Sequence, residues 1–260
     1  GGEPLLRKDF EQIYSHAKGI GFLVTVFSNG TLVTDRIAQL FDELPPRAVE
    51  ITLYGSTAAT HEGITQVDGS FERCLAGVER LLDHKVKVRL KTILMTLNRH
   101  EFFDIKSIAE AYGVPFRFDA ALFPRRNGDR SPLELRVPPQ EAIEKEFADE
   151  DEASQYRYDE TEYYERRKDV PASDSLYVCG AGRTGFHVDP YGNLQPCLMT
   201  SRYQYHLPNG SFQVGWREVM PRLREKKAGV QYACRECHMR ALCGFCPAFF
   251  EWENGDEQAR

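Results

Sequence analysis

At 260 residues the chain is long enough for one or two domains, and its 42% apolar and 12% aromatic content excludes a disordered polymer. Thirty-three basic residues against 39 acidic ones leave a net charge of −6, which argues against a general binder of nucleic acid or anionic membrane. The longest apolar stretch, Ile20 to Phe27, is interrupted by Thr25 and falls far below the ~20 residues of a membrane span, and no signal peptide opens the chain.

The first 123 residues alternate helix and strand signals. Leu6, Phe10, Ile13, Tyr14 and Ala17 recur at helical spacing, with Gly19 as the stop. Ile20 to Phe27 reads as a buried strand. Thr34 is placed to cap a helix carrying Ile37, Leu40, Phe41 and Leu44, which Pro45 and Pro46 end. Val49 to Tyr54 is the next strand. Phe71, Cys74, Leu75, Val78, Leu81 and Leu82 share one helical face, which makes Cys74 a packing residue. Val86 to Met95 is a β-branched strand. Ile105, Ile108, Ala109 and Tyr112 mark a helix closed by Gly113, and Val114 to Phe123 is a last strand. This pitch means parallel strands joined by helical crossovers; an open doubly wound sheet and a (β/α) barrel both fit. Gly1-Gly2-Glu3-Pro4 leads straight into a helix, as if a strand should precede it.

Residues 124–175 change character. Arg125 to Arg130 is a turn-rich basic loop, and Pro138-Pro139 opens a charged stretch that includes Asp149 to Glu152 and Glu160 to Arg167. This segment reads as a charged, partly helical, solvated linker. From Leu176 the chain is small, turn-rich and cysteine-bearing. Phe186 to Val188 and Leu194 to Leu198 flank Asp189-Pro190-Tyr191-Gly192-Asn193 as a hairpin.

The cysteines carry the chemistry. There are seven, an odd number, and Cys234, Cys237, Cys243 and Cys246 fall within thirteen residues. That spacing suits reduced thiolates holding a metal or cluster in a cytoplasmic protein better than a secreted disulfide framework. Short CxxC loops deliver two sulfurs at once, and a hairpin delivers more from elsewhere, here Cys179 and Cys197. Zinc competes, because Cys234, Cys237, Cys243 and Cys246 alone could make a tetrahedral site, but that leaves Cys179 and Cys197 idle. His238, between these cysteines, reads as a surface histidine at a turn rather than a ligand.

The pattern Cys179, Gly192-x4-Cys197, then Cys234-x2-Cys237-x5-Cys243-x2-Cys246 closely resembles the SPASM domain, the auxiliary-cluster domain of many radical S-adenosylmethionine (SAM) enzymes. The last spacing is one residue short of the family's x3, and the family's final cysteine is absent. Gly1-Gly2-Glu3-Pro4-Leu5 is similar to the family's GGEP motif. Phe27-Ser28-Asn29-Gly30 and Ile51 to Ser56 resemble the ends of its third and fourth strands.

The resemblance implies an α/β fold, a partial (β/α)6 TIM-like barrel lacking its first strand and helix. That barrel would occupy 1–123, with the linker at 124–175 and a small SPASM domain with a β-hairpin and short helices at 176–260. It implies SAM as cofactor, bound by Gly1, Gly2, Glu3 and Pro4 with Ser28, Asn29 and Ser56 near the ribose or methionyl part. Lys91, in the fifth strand of the family barrel, is read as a helix-facing or rim lysine, the alternative being a barrel-facing contact to substrate or SAM. Two auxiliary [4Fe–4S] clusters would be held by Cys179, Cys197 and Cys246, and by Cys234, Cys237 and Cys243. The motif CxxxCxxC, which holds the SAM-cleaving cluster, does not occur in the chain. The resemblance places it upstream of Gly1 and the last cluster ligand beyond Arg260, in a longer parent enzyme. Relatives often carry an arginine after the fourth strand, and Ala59 to Thr65 has none, so the group that grips the SAM carboxylate is unassigned.

The implied chemistry is hydrogen abstraction by a 5′-deoxyadenosyl radical. The implied substrate is a peptide or protein, reached through a separate recognition domain in many relatives, with flavodoxin or ferredoxin as electron donor. Leu198 follows Cys197 where sulfatase maturases of this family carry an aspartate base, which disfavours that subclass. No catalytic residue is assigned. The rival readings are a zinc-stabilised binding module on a barrel-like scaffold and a haem-modifying radical enzyme.

Overall fold

The structure is a computed structural model that describes residues 2–148, 153–154, 157, 161–162, 165, 174–235, 237 and 246–259. The chain divides into two compact units, Gly1–Leu122 with Leu133–Glu144, and Phe123–Pro132 with Lys145–Arg260.

The first unit is built on four parallel strands in sequential order: β1 (Thr25–Ser28), β2 (Ala48–Thr52), β3 (Val88–Ile93) and β4 (Phe116–Asp119). Val26 lies beside Val49 and Val49 beside Val88; Ile51 lies beside Leu90 and Leu90 beside Phe116. The helices are α1 (Phe10–Gly19), α2 (Asp35–Glu43), α3 (Ala58–Thr65), α4 (Ser70–Asp83) and α5 (Phe102–Ala111). Because strand side chains alternate, Val26, Val49, Ile51, Val88 and Leu90 all point to one face. There they meet Tyr14, Phe41, Cys74, Val78, Leu81 and Ile105 from four of these helices. Each such fully buried aliphatic side chain contributes roughly 1.5–3 kcal/mol. The opposite face carries Phe27, Glu50, Thr52, Arg89, Lys91, Arg117 and Asp119. Lys91 therefore does not face the helices as expected; its neighbours Leu90 and Thr92 take that side and are buried.

Thr34 caps α2 as its position suggests, its Oγ1 accepting the Ile37 N–H at 3.3 Å. Close packing at the middle of α4 depends on glycine. Gly30 turns at φ +77°, and a Cβ on Gly77 would overlap the Gly30 carbonyl oxygen, so only glycine lets α4 come this near the β1 loop.

Three expected elements are displaced. The strand expected from Ile20 to Phe27 begins only at Thr25. Gly21 turns at φ +91°, Leu23 is 81% exposed, and the first cross-strand bond runs from Arg47 N to Val24 O at 2.7 Å. Before Val24 no strand among the described residues pairs with the chain, and an apolar run without a partner does not make a strand. The strands expected at Val86–Met95 and Val114–Phe123 contract to the paired lengths of β3 and β4 for the same reason. α3 has no counterpart in the sequence reading. Only His61 of its residues is buried, so it carries no apolar stripe, and Thr57 starts it by accepting the Thr60 N–H. α6 (Pro139–Phe147) follows a short 3-10 turn at Ser131–Leu135.

The second unit holds a three-stranded antiparallel sheet, β5 (His187–Val188), β6 (Asn193–Gln195) and β7 (Tyr205–His206), in that order. Its first two strands are the expected hairpin. The buried Asp189 carboxylate closes the turn by accepting the N–H groups of Tyr191 and Asn193, each at 2.9 Å, and Gly192 supplies φ +82°. α7 (Phe212–Arg224) is capped by Ser211, and α8 (Pro247–Asn254) begins after Cys246 and ends at Gly255 in the left-handed region. Leu176, Tyr177, Tyr203, Val219, Leu223, Tyr232 and Phe250 form its core. Much of the expected charged linker, together with Gly1, His238 and Cys243, lies outside the described residues.

Candidate functional site

The C-terminal ends of β1, β2 and β3 gather most of the expected SAM-site residues into two hydrogen-bonded groups. The first centres on Glu3. Its Oε1 accepts the Ser28 hydroxyl at 2.9 Å and the Leu5 N–H at 3.1 Å; its Oε2 accepts the Asn29 N–H at 2.7 Å. Ser28 Oγ in turn accepts the Gly30 N–H at 3.0 Å, and Asn29 Oδ1 takes the Thr31 N–H and hydroxyl. Pro4 opens the 3-10 turn that Glu3 caps, its fixed φ holding the carboxylate over β1. Gly2 has open space where a Cβ would stand. The partly exposed Glu3 carboxylate keeps acceptor capacity on Oε2, which fits the ammonium group of a SAM methionyl end.

The second group holds Ser56, and its organiser is a residue that the sequence reading missed. Glu101 is 8% exposed and sits just before α5. It accepts the Ser56 N–H at 2.7 Å, the Ser56 hydroxyl at 3.0 Å and the Thr57 hydroxyl at 2.9 Å, and Thr60 adds a further hydroxyl. Burial by itself would raise its pKa, but the Thr60, Ser56 and Thr57 donors outweigh it and hold the carboxyl at about 2. Asn98, fully buried, completes the rim: its Nδ2 donates to the Tyr54 and Ile93 carbonyls at 2.9 and 3.0 Å, and its Oδ1 accepts the Met95 N–H. The Tyr54 N–H donates to His61 Nδ1 at 3.2 Å, and burial lowers the His61 pKa, so this ring is a neutral acceptor. Gly55 is required next to Tyr54, because a Cβ there would stand 2.7 Å from the His61 backbone nitrogen. The signal in the sequence was present as a Glu three residues after Asn98, but a carboxylate opening a helix reads as an ordinary solvated first-turn charge.

On the sheet face away from the helices, Glu50 is 6% exposed and pairs with Arg117 through Nη2 at 2.7 Å and Nε at 3.1 Å; Arg89 lies 3.9 Å away. The Lys91 ammonium sits 4.0 Å over the Phe27 ring.

In the second unit the described cysteines are free thiols: Cys179, Cys197, Cys234, Cys237 and Cys246, while Cys74 lies in the first unit's core. Among the described residues no group of three or more His, Cys, Asp or Glu side chains is gathered closely enough to hold a metal ion. Cys246 does feel the charges of Cys179 and Cys197. Burial raises its pKa, while the N–H groups of Phe249 and Ala248 at the start of α8 favour its thiolate. Cys234 and Cys246 both pack on the unit's core. Soft thiols with helix N–H donors suit an iron–sulfur cluster in donor chemistry. The four-cysteine zinc set includes Cys243, outside the described residues.

Behind these thiols, Glu257, 1% exposed, accepts the Tyr177 hydroxyl at 2.6 Å and the Tyr203 hydroxyl at 2.9 Å, and pairs with Lys226. No described helix is long and apolar enough to cross a membrane.

The family model described as the Radical SAM superfamily matches residues 1–111. An AdoMet-dependent heme synthase of Nitratidesulfovibrio vulgaris is 26% identical over an alignment covering all of this chain and 76% of the relative. A probable GTP 3′,8-cyclase of Methanothermobacter marburgensis is 30% identical, with 76% of this chain and 67% of the relative aligned. Streptococcus suis SuiB, in its crystal structure with precursor peptide SuiA, superposes with a TM-score of 0.68 at 13% identity over 100% of this chain. The chain spans 62% of SuiB's length.

Proposed function

Because the chain belongs to the radical SAM superfamily, we propose that it is the part of an oxidoreductase that binds SAM and two auxiliary [4Fe–4S] clusters, and that the enzyme takes a hydrogen atom from a peptide or protein. Membership in the family implies SAM and a [4Fe–4S] cluster, which together supply a 5′-deoxyadenosyl radical for hydrogen abstraction. The observation that carries the reading is the Glu3 carboxylate fixed by Ser28 and Asn29 at the C-terminal edge of a parallel sheet, where such folds bind ligands.

Glu3 takes the SAM ammonium, while Gly1 and Gly2 leave the backbone free to approach it. Pro4, Ser28 and Asn29 hold that carboxylate in place. Ser56, anchored by Glu101, holds the loop on the ribose side. Cys179, Cys197 and Cys246 ligate one auxiliary cluster, and Cys234, Cys237 and Cys243 the other. The electron arrives from a flavodoxin- or ferredoxin-type donor. The peptide reading is supported by the likeness to SuiB, solved with a precursor peptide. A second substrate, a tetrapyrrole, is favoured by the heme synthase that aligns with the whole chain.

The test is anaerobic reconstitution with iron and sulfide, followed by iron, zinc and acid-labile sulfide analysis and calorimetric titration with SAM. Iron and sulfide in equal amounts, with SAM binding lost in Glu3→Gln, is expected. Zinc without sulfide overturns the auxiliary clusters, and SAM binding indifferent to Glu3 overturns the assignment of the pocket.

A further inference from the structure

The sheet face away from the helices holds three cations against two carboxylates: Arg89, Lys91 and Arg117 against Glu50 and Asp119. Their partners are unequal. Arg117 holds Glu50 with two nitrogens, and Arg89 approaches the same carboxylate. Lys91 is different. Among the described residues no carboxylate lies within ion-pair distance of its ammonium, which rests 4.0 Å over the Phe27 ring. A cation on an aromatic face keeps its three N–H donors available, because the ring offers charge without a lone pair.

The register places this group in the functional region. Lys91 stands beside Thr52, the last residue of β2, and Arg117 on β4, one same-face position before the ends of β3 and β4. Ser28, Asn29, Tyr54 and Ser56, at the strand ends, form the rim above it. The segment from Ala59 to Thr65 holds no arginine.

We propose that Lys91 is the carboxylate-recognition residue of this site, its ammonium receiving an acid group that belongs either to the SAM methionyl end or to the substrate. This rests on the reading of the strand ends as a SAM and substrate site. Phe27 holds the ammonium on its ring face, and Arg117 is engaged by Glu50. The free protein holds this cation at a cost. Burial chiefly, and then the Arg117 charge, lower its pKa, against the raising effect of Glu50 and Asp119, and an incoming carboxylate relieves both.

Two pairs of probes distinguish the sources: SAM against decarboxylated SAM, and iron-coproporphyrin III against its tetramethyl ester. Each is titrated into the reconstituted chain, Lys91→Met, Lys91→Arg, and Lys227→Met as a charge-matched control on the second unit. Loss of a charge-assisted hydrogen bond predicts that Lys91→Met weakens binding of the acid by about tenfold or more and leaves its decarboxylated or esterified partner unchanged. Lys91→Arg recovers part of the affinity. Loss confined to the SAM pair assigns the acid to SAM; loss confined to the porphyrin pair assigns it to the substrate. The proposal is overturned if Lys91→Met, still folded by its melting curve, discriminates acid from partner as the wild type does. It is equally overturned if the wild type discriminates in neither pair. Titration of SAM into Glu3→Gln tests the underlying reading separately. SAM binding that depends on Glu3, with unchanged discrimination in Lys91→Met, sinks Lys91 alone, and SAM binding indifferent to Glu3, with altered discrimination in Lys91→Met, sinks the Glu3 pocket alone.

Discussion

Glu101 accepts the backbone N–H of Ser56 at 2.7 Å, joining the start of α5 to the loop after β2 across 45 residues of chain. With the folded carboxyl at about 2 and an unfolded value near 4.5, the group binds fewer protons when folded. It therefore adds stability above pH ~4.5, on the order of 3 kcal/mol, which is lost as pH falls toward 2. Glu101→Gln should melt lower than the wild type at pH 7, and the gap should close between pH ~4.5 and ~2 in urea titrations followed by circular dichroism.

Gly77→Ala tests the approach of α4 to the β1 loop. The new Cβ overlaps the Gly30 carbonyl oxygen, backbone that cannot step aside. Overpacking of this kind costs about 1–3 kcal/mol, and the denaturation midpoint should fall accordingly. Gly63→Ala on α3, where a Cβ has open space, should not lower it.

Glu3→Gln replaces one carboxylate oxygen with an amide that cannot accept both the Asn29 N–H and the Ser28 hydroxyl. SAM affinity by calorimetry should drop by about tenfold or more, since the lost partner is charged. The melting temperature should change little by comparison, because the site is partly exposed.

Lys226→Met leaves Glu257 buried with only the Tyr177 and Tyr203 hydroxyls as donors. Breaking a buried pair from one side costs about 3–5 kcal/mol. Proteolysis should show the second unit cut faster while the first unit persists. Pairing the change with Glu257→Gln should recover part of the loss, which a simple packing defect would not.

Cys197→Ala and Cys246→Ala should each lower iron and acid-labile sulfide per reconstituted chain, and Cys74→Ala should leave both unchanged. Equal iron in all three variants would remove Cys197 and Cys246 from the ligand set.

Much of the first unit was legible because its signals are local. Thr34, the apolar spacing of α2 and α4, and the β-branched run of β3 each announce their element within a few residues. The hairpin at Asp189–Asn193 was legible for the same reason. What could not be read depends on partners distant in sequence. Ile20 to Leu23 looks like strand, but only pairing makes a strand, and none is available there. α3 is held by a cap and by His61 rather than by an apolar stripe. Lys91 is assigned to its face by a register that single-residue alternation in β3 could have hinted at. Glu3, Ser28, Asn29 and Ser56 were picked out by motif, but Glu101, which fixes Ser56, is joined to it only by folding.

The burial of Cys74 has a practical consequence. Its thiol is fully enclosed, and burial, with a smaller contribution from the Glu3 charge, pushes it up to about 12, so almost none is thiolate at neutral pH. An alkylating reagent applied to the native chain should therefore pass it by and mark the more accessible Cys179, Cys197, Cys234 and Cys237 first. Mass spectrometry of the labelled peptides then carries its own internal reference: modification of Cys74 reports unfolding, and protection of the others reports what they bind.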